Sequence, residues 1–281
     1  MQFAICNEIF ESLDFTEVCR VVHETGYKGI ELAPFTFAKD VRYINSKERH
    51  EILETAQSYN LKIVALHWLL TSPEGMSIST NDPKIWQFTI EYFRALVDFA
   101  NDLNVSVLVL GSPKQRNISE NWEEKEARKR AIKALQEVAI YAKEINPDII
   151  IAFEPLSPEV TNFGCCIEEG FEIISKVNQE NVKLHIDAKA MATENIAPEK
   201  LIDFIGLKNI AHVHLNEPNG LGPGMENDHT ICDKILLKLR EINYNRWISV
   251  ETFKRDRDPS LIAKESLEFM KNVIGNEQHD E

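Results

Sequence analysis

IIIAFEP (149–155), VKLHID (182–187), IAHVHL (210–215) and WISVET (247–252) decide the fold. Each is a short run, rich in β-branched residues and apolar almost throughout, which suits a strand covered on both faces of a parallel sheet. Working back towards the N-terminus, FAIC (3–6), GIELA (29–33), KIVALH (62–67) and SVLVLG (106–111) repeat the pattern. Longer amphipathic segments separate the runs, and several have readable starts. Asp82 precedes Pro83 as an N-cap before a first-turn proline, opening a helix to about Asn104. Ala197-Pro198 and Asp258-Pro259 repeat that logic, and Ser46 is expected to cap the helix that follows it. Gly26 fits a helix C-terminus, and 123–144 reads as a long helix with a solvated charged face.

Eight strand-then-helix units in 281 residues amount to about 35 residues each, on the roughly 250-residue scale of a (β/α)₈ barrel. The competing doubly wound sheet usually carries a glycine-rich phosphate turn after its first strand, whereas this chain has Cys-Asn-Glu-Ile-Phe at 6–10. No linker-like stretch divides the chain. The expected organisation is one α/β TIM barrel over 1–275, followed by a polar tail at 276–281.

Hydrophobic residues make up 43% of the chain, enough for a sizeable core, which excludes intrinsic disorder. With 31 basic and 45 acidic side chains the net charge is −14, which argues against nucleic-acid binding driven by phosphate neutralisation. No apolar run reaches the roughly 20 residues of a membrane span. The start MQFAICNEIFESLDF has acids where a secretion signal needs a basic leader. Five cysteines without metal spacing read as reduced thiols. A cytoplasmic protein with no membrane partner is expected, and its exposed barrel helices allow a homo-oligomer.

A TIM barrel carries its active site where its strands end. Glu154, Asp187, His214 and Glu251 each close an apolar run, on four successive strands. One strand-end acid alone is more often a cap partner or half of an ion pair; four in register converge on one point. Three carboxylates and an imidazole there call for a cation. Three oxygen donors with one nitrogen suit Mn²⁺ or Mg²⁺ best, and Zn²⁺ and Co²⁺ also fit. Lys114, Gln115 and Arg116 follow strand four and are expected at the mouth, Arg116 offering bidentate contact to a phosphate, carboxylate or sugar hydroxyls. His67 and Trp68 end strand three, with one expected to face the substrate and the other to pack outward. Lys189 is either a substrate contact or an ion-pair partner of Glu154 or Glu217. His212 and His185 lie one layer deeper and read as structural, by the two-residue period of a strand. Asp228 and His229 either approach the mouth or begin a helix.

That series, with the phrases HVHLNEP and SVETF, resembles the xylose-isomerase-like TIM barrels, and within them the sugar phosphate isomerase/epimerase group that includes the ketose 3-epimerases. ALHWLL (65–70), LGSPKQRN (110–117), DAKAM (187–191) and GPG (222–224) extend the resemblance over essentially the whole chain. It implies that Glu154, Asp187, His214 and Glu251 bind one divalent metal. It further implies that Glu154 and Glu251 act as an acid/base pair on a carbohydrate, removing and returning a proton beside a carbonyl through a metal-stabilised enediolate. The sugar-contacting residues depart from the ketose 3-epimerase pattern. Val160 stands where a glutamate is expected, Ala190 where a histidine is common, and Gly220 where an arginine is usual.

Three other functions compete with isomerase or epimerase. A metal-dependent lyase or dehydratase acting on a keto-sugar or keto-glycoside would use the same proton abstraction to expel a leaving group, with Lys189 or His67 assisting. An endonuclease IV-type nuclease needs further histidines, yet position 190 is Ala and strand four ends in Gly111-Ser112. A non-catalytic sugar-binding barrel would not need a carboxylate on each side of the substrate.

Overall fold

Eight parallel strands hydrogen-bond in sequence order and close on themselves: β1 (Gln2–Cys6), β2 (Gly29–Leu32), β3 (Lys62–Leu66), β4 (Val107–Leu110), β5 (Ile150–Phe153), β6 (Val182–Asp187), β7 (Ile210–Leu215) and β8 (Trp247–Val250). The computed structural model describes residues 1–275, and the 276–281 tail lies outside them. Pairing of Ala4 with Ser249 and Ile5 with Val250 seals the ring between β1 and β8. All eight apolar runs are strands, as expected, and several end a residue or two before the run does. Glu154, Glu251 and His67 therefore stand just past a strand end. Their amide N–H groups still donate to Leu110, Leu215 and Leu32 of the neighbouring strands, at 3.1, 3.3 and 3.1 Å.

The outer layer comprises α1 (Phe15–Thr25), α2 (Ser46–Ser58), α3 (Pro83–Asp102), the single turn α4 (Pro113–Arg116), α5 (Glu124–Ile145), α6 (Ile167–Val177), the single turn α7 (Ala188–Met191), α8 (Pro198–Ile205), α9 (Thr230–Glu241) and α10 (Pro259–Gly275). The apolar stripes of the longer helices cover the outward faces of the strands. Val18 and Val22 of α1, Phe93 and Leu96 of α3, and Leu135 and Val138 of α5 are buried in one continuous core. Each such side chain contributes roughly 1.5–3 kcal/mol when fully buried.

The caps follow side-chain chemistry. The Asp82 carboxylate accepts from the Lys84 N–H at 2.8 Å, and Asp258 from the Ser260 N–H at 2.7 Å. Gly26 closes α1 at φ 102°, a left-handed conformation that favours glycine. The expected cap of α2 is corrected by one residue. Asn45, not Ser46, accepts from Lys47 and Glu48 N–H, while the Glu48 carboxylate reaches back to the Asn45 N–H at 2.8 Å. That reciprocal pair satisfies more free helix N–H groups than one serine hydroxyl does.

Inside the ring, small side chains set how closely the strands approach. A Cβ on Gly29 would lie 2.6 Å from Val64 Cγ1 and 2.7 Å from Trp247 Cζ3, so this floor position admits only glycine without repacking. Above that floor the interior turns polar. Glu31, His185, His212 and Ser249 are all buried inside the barrel, one layer below the strand ends.

Candidate active site

At the C-terminal mouth, Glu154, Asp187, His214 and Glu251 offer ligand atoms within 4.8 Å of one another, and all four residues are buried. They come from successive strands β5 to β8, so backbone pairing sets their spacing. Asp187 and His214 are direct partners in the ladder. Asp187 is held at both oxygens, Oδ1 accepting from the Ala190 N–H at 2.7 Å and Oδ2 from Asn216 Nδ2 at 2.8 Å. Glu251 accepts from the Trp68 indole N–H at 3.1 Å, and its other oxygen lies 3.2 Å from His214 Nδ1. Trp68 makes that contact from a backbone at φ 53°, a costly conformation for a bulky residue and one often found at functional sites.

The charges cannot balance among themselves. Burial, together with the nearby Asp187 and Glu251 carboxylates, pushes the Glu154 carboxyl well above its ordinary range. Burial and Glu251 push Asp187 up to about 6. Burial acts in the same direction on Glu251, but the His214 imidazole overrides it and holds Glu251 below the usual carboxylate value. Three crowded carboxyls beside one imidazole, two of them pushed towards their protonated form, make a donor set that a divalent cation would satisfy. The neighbouring backbone leaves room for Glu154. The position of a Cβ on Gly111 lies 2.2 Å from Glu154 Oε2, so the missing side chain is what seats this carboxylate. Gly111→Ala should therefore leave the barrel folded, because only a flexible side-chain end must move. It should displace Glu154 and lower turnover by about 100-fold, the cost of a misplacement near 1 Å. Turnover assays alongside thermal melts check this; wild-type turnover in the folded variant would refute it.

The cluster opens into a cavity of about 350 Å³ whose wall includes His67, Trp68, Leu156, Val160, Lys189 and Phe253. His67 and Trp68 both line it, against the expectation that one packs outward. Lys189 lies on the wall with its ammonium 5.8 Å from the Phe253 ring centroid, and it has no ion-pair partner among the described residues. The expected pair with Glu154 or Glu217 is thus absent.

The Lys-Gln-Arg segment is a correction. Lys114, Gln115 and Arg116 do not line the cavity. Ser112 turns left-handed at φ 39° and Pro113 starts the α4 turn, which carries Arg116 into the barrel wall. Arg116 is fully buried, donates to the Glu154 carbonyl at 2.6 Å and lies over the Phe153 ring at 4.9 Å, while Lys114 is exposed. The preceding Gly111, Ser112 and Pro113 face the cavity instead. His212 occupies the deeper layer as expected, 2.8 Å from Glu31 and 3.0 Å from Ser249. His185 is buried beneath Glu154, at 4.0 Å. Asp228 accepts from Thr230 at the start of α9 and His229 pairs with Asp233, which is the helix-start reading.

Sequence reasoning missed Glu8, which follows β1 in a 3₁₀ turn and lies 3.0 Å from His67 Nε2. No local signal marks it. It also left Asn216 and Glu31 without roles; Glu31 stands inside its apolar run, with Leu32 and Ala33 after it.

A family model described as xylose isomerase-like TIM barrel matches residues 19–273. The chain belongs to that family. A probable ketose 3-epimerase from Synechocystis sp. is 23% identical over 240 residues, which cover 81% of this chain and 75% of the relative. Among solved structures of this barrel type, D-psicose 3-epimerase from Clostridium cellulolyticum H10 superposes with a TM-score of 0.81 at 20% identity, covering 98% of this chain and 99% of the other. The 3-keto-D-glucoside 4-epimerase from E. coli does so with a TM-score of 0.81 at 15% identity, covering 97% and 99%. At those identities the superpositions establish the fold. The probable ketose 3-epimerase among its relatives places this xylose isomerase-like barrel among enzymes. No helix among its described residues is long and apolar enough to cross a membrane.

Proposed function

We propose that the protein is a divalent-metal-dependent isomerase or epimerase of a sugar or sugar derivative. The observation that carries this reading is the placement of Glu154 and Glu251, on β5 and β8, within one 4.8 Å donor cluster with Asp187 and His214. All four would hold the metal, with Mn²⁺ or Mg²⁺ best matched to three carboxylates and one imidazole. A divalent ion held there would supply Lewis-acid stabilisation of the negative charge left when a carbon beside a carbonyl loses its proton. The chain's own residues do the rest. One of Glu154 and Glu251 takes the proton, and the other returns one to the opposite face, inverting the centre. Trp68 and Phe253, in edge contact at 6.4 Å, stand over the cavity as an apolar rim that limits water around the exchanging proton.

The family resemblance and the ketose 3-epimerase relative support this reading. The wall supports a substrate other than a plain ketose. Val160 and Ala190, which replace polar residues of the ketose 3-epimerase pattern, both line the cavity, and Lys189 offers the wall's ammonium for an anionic or hydroxyl group. Five free thiols suit the cytoplasmic location that accompanies this proposal.

Deuterium wash-in tests the reaction class. With Mn²⁺ supplied, a panel of ketoses, sugar phosphates and keto-glycosides in D₂O should include one that gains deuterium beside its carbonyl without other mass change. Exchange accompanied by loss of water or an alcohol would replace the epimerase with a lyase. Metal binding without exchange in any member of the panel would count against proton-transfer chemistry on these sugars.

A further inference from the structure

We propose that Glu31 is the positioning residue of this centre, fixing which His214 nitrogen is left to bind the metal; the inference rests on the metal-centre reading above. Glu31 is fully buried in β2, across the barrel from β7. Its Oε1 lies 2.9 Å from His214 Nε2, and its Oε2 lies 2.8 Å from His212 Nε2. An ionised carboxylate only accepts hydrogen bonds, so each imidazole must present an Nε2–H to it. For His214 this leaves Nδ1, the nitrogen 3.2 Å from Glu251 Oε2, directed at the donor cluster.

Glu31 is itself held from several sides. His212 engages the second oxygen while contacting Ser249 Oγ at 3.0 Å. His67 Nδ1 flanks the first oxygen at 3.4 Å, and its other nitrogen is anchored by Glu8 at 3.0 Å. The His67 and His214 rings meet edge-on, with centroids 5.5 Å apart. The His214 ring thus has its plane and its hydrogen-bonding pattern fixed from below by a carboxylate outside the ligand set. Both Glu31 oxygens face imidazole nitrogens one layer below the donor cluster.

The test compares Mn²⁺ affinity, by calorimetry, of the full-length wild type and Glu31→Leu, which offers neither histidine an acceptor. Folding is monitored by circular dichroism. Loss of such a histidine partner weakens metal binding by about 10- to 100-fold, and that is the expected result; equal affinity in a folded variant overturns the proposal. Should Glu31→Leu fail to fold, ¹⁵N-histidine spectra of the Mg²⁺-loaded wild type decide the matter. A protonated, hydrogen-bonded His214 Nε2 supports the proposal, and a His214 protonated on Nδ1 instead overturns it. The two readings fail differently. Wild type that binds no divalent ion removes the metal centre and this inference with it, whereas equal tight binding by both proteins removes only the role of Glu31.

Discussion

Glu154→Gln and Glu251→Gln are each expected to lower turnover by about 10²- to 10⁴-fold, the usual contribution of a positioned acid or base, while the barrel stays folded. Glutamine keeps the shape of each side chain. At Glu154 it also removes a buried carboxyl whose ionisation its neighbours disfavour, so no net electrostatic stabilisation is lost there, whereas Glu251, favoured by His214, gives up some of that pairing. The two variants should differ in a way that a purely structural defect would not produce. If each carboxylate serves one face of the substrate, each variant keeps proton exchange with only one of the two epimers and loses interconversion. The double variant should then be little worse than either single one, because both serve one reaction path. Progress curves and deuterium exchange from each epimer, with thermal melts as a control, check this; wild-type rates in either variant would remove the acid/base assignment.

Metal removal is expected to abolish turnover, with Mn²⁺ or Mg²⁺ restoring it, and to lower the melting temperature. An ion present at 100 times its dissociation constant stabilises the native state by about 2.7 kcal/mol, and about 2–4 °C per kcal/mol gives a shift of about 5–10 °C for a chain of this size. The sign of the pH dependence follows from Asp187, whose carboxyl is raised to about 6 from an ordinary value of 3.8. Without metal, the folded state keeps this proton in a range where the unfolded chain has released it. Metal-free stability therefore falls as pH rises through that window. The metal needs the carboxylate, so its affinity rises through the same window. The metal-induced shift should be small near pH 5 and largest above pH 7. Differential scanning calorimetry with and without chelator at both pH values measures it, and a shift that shrinks with rising pH would contradict the Asp187 assignment.

The clustering of Glu154, Asp187, His214 and Glu251 could be read from sequence because each closes an apolar run, and in a barrel the end of a strand is a place as well as a pattern. The same reasoning failed at Arg116, whose type and loop position suggested the mouth. A left-handed Ser112 followed by a helical turn buried it behind Glu154 instead. Local pattern reports polarity and strand boundaries, but a loop's direction depends on backbone torsions that many sequences share.

The number of strands, the layer at which each inward residue sits and the candidate donors follow from periodicity and from the cost of burying a lone charge; these are local properties, and the residues alone carry them. Which buried groups meet across the ring is different. Glu31 and His214 are 183 positions apart, Trp68 and Glu251 also 183, and Glu8 and His67 are 59. Only closure of the barrel brings them together, because their partnership depends on strand register and on azimuth around the axis, and neither is written in the spacing of residues along one strand.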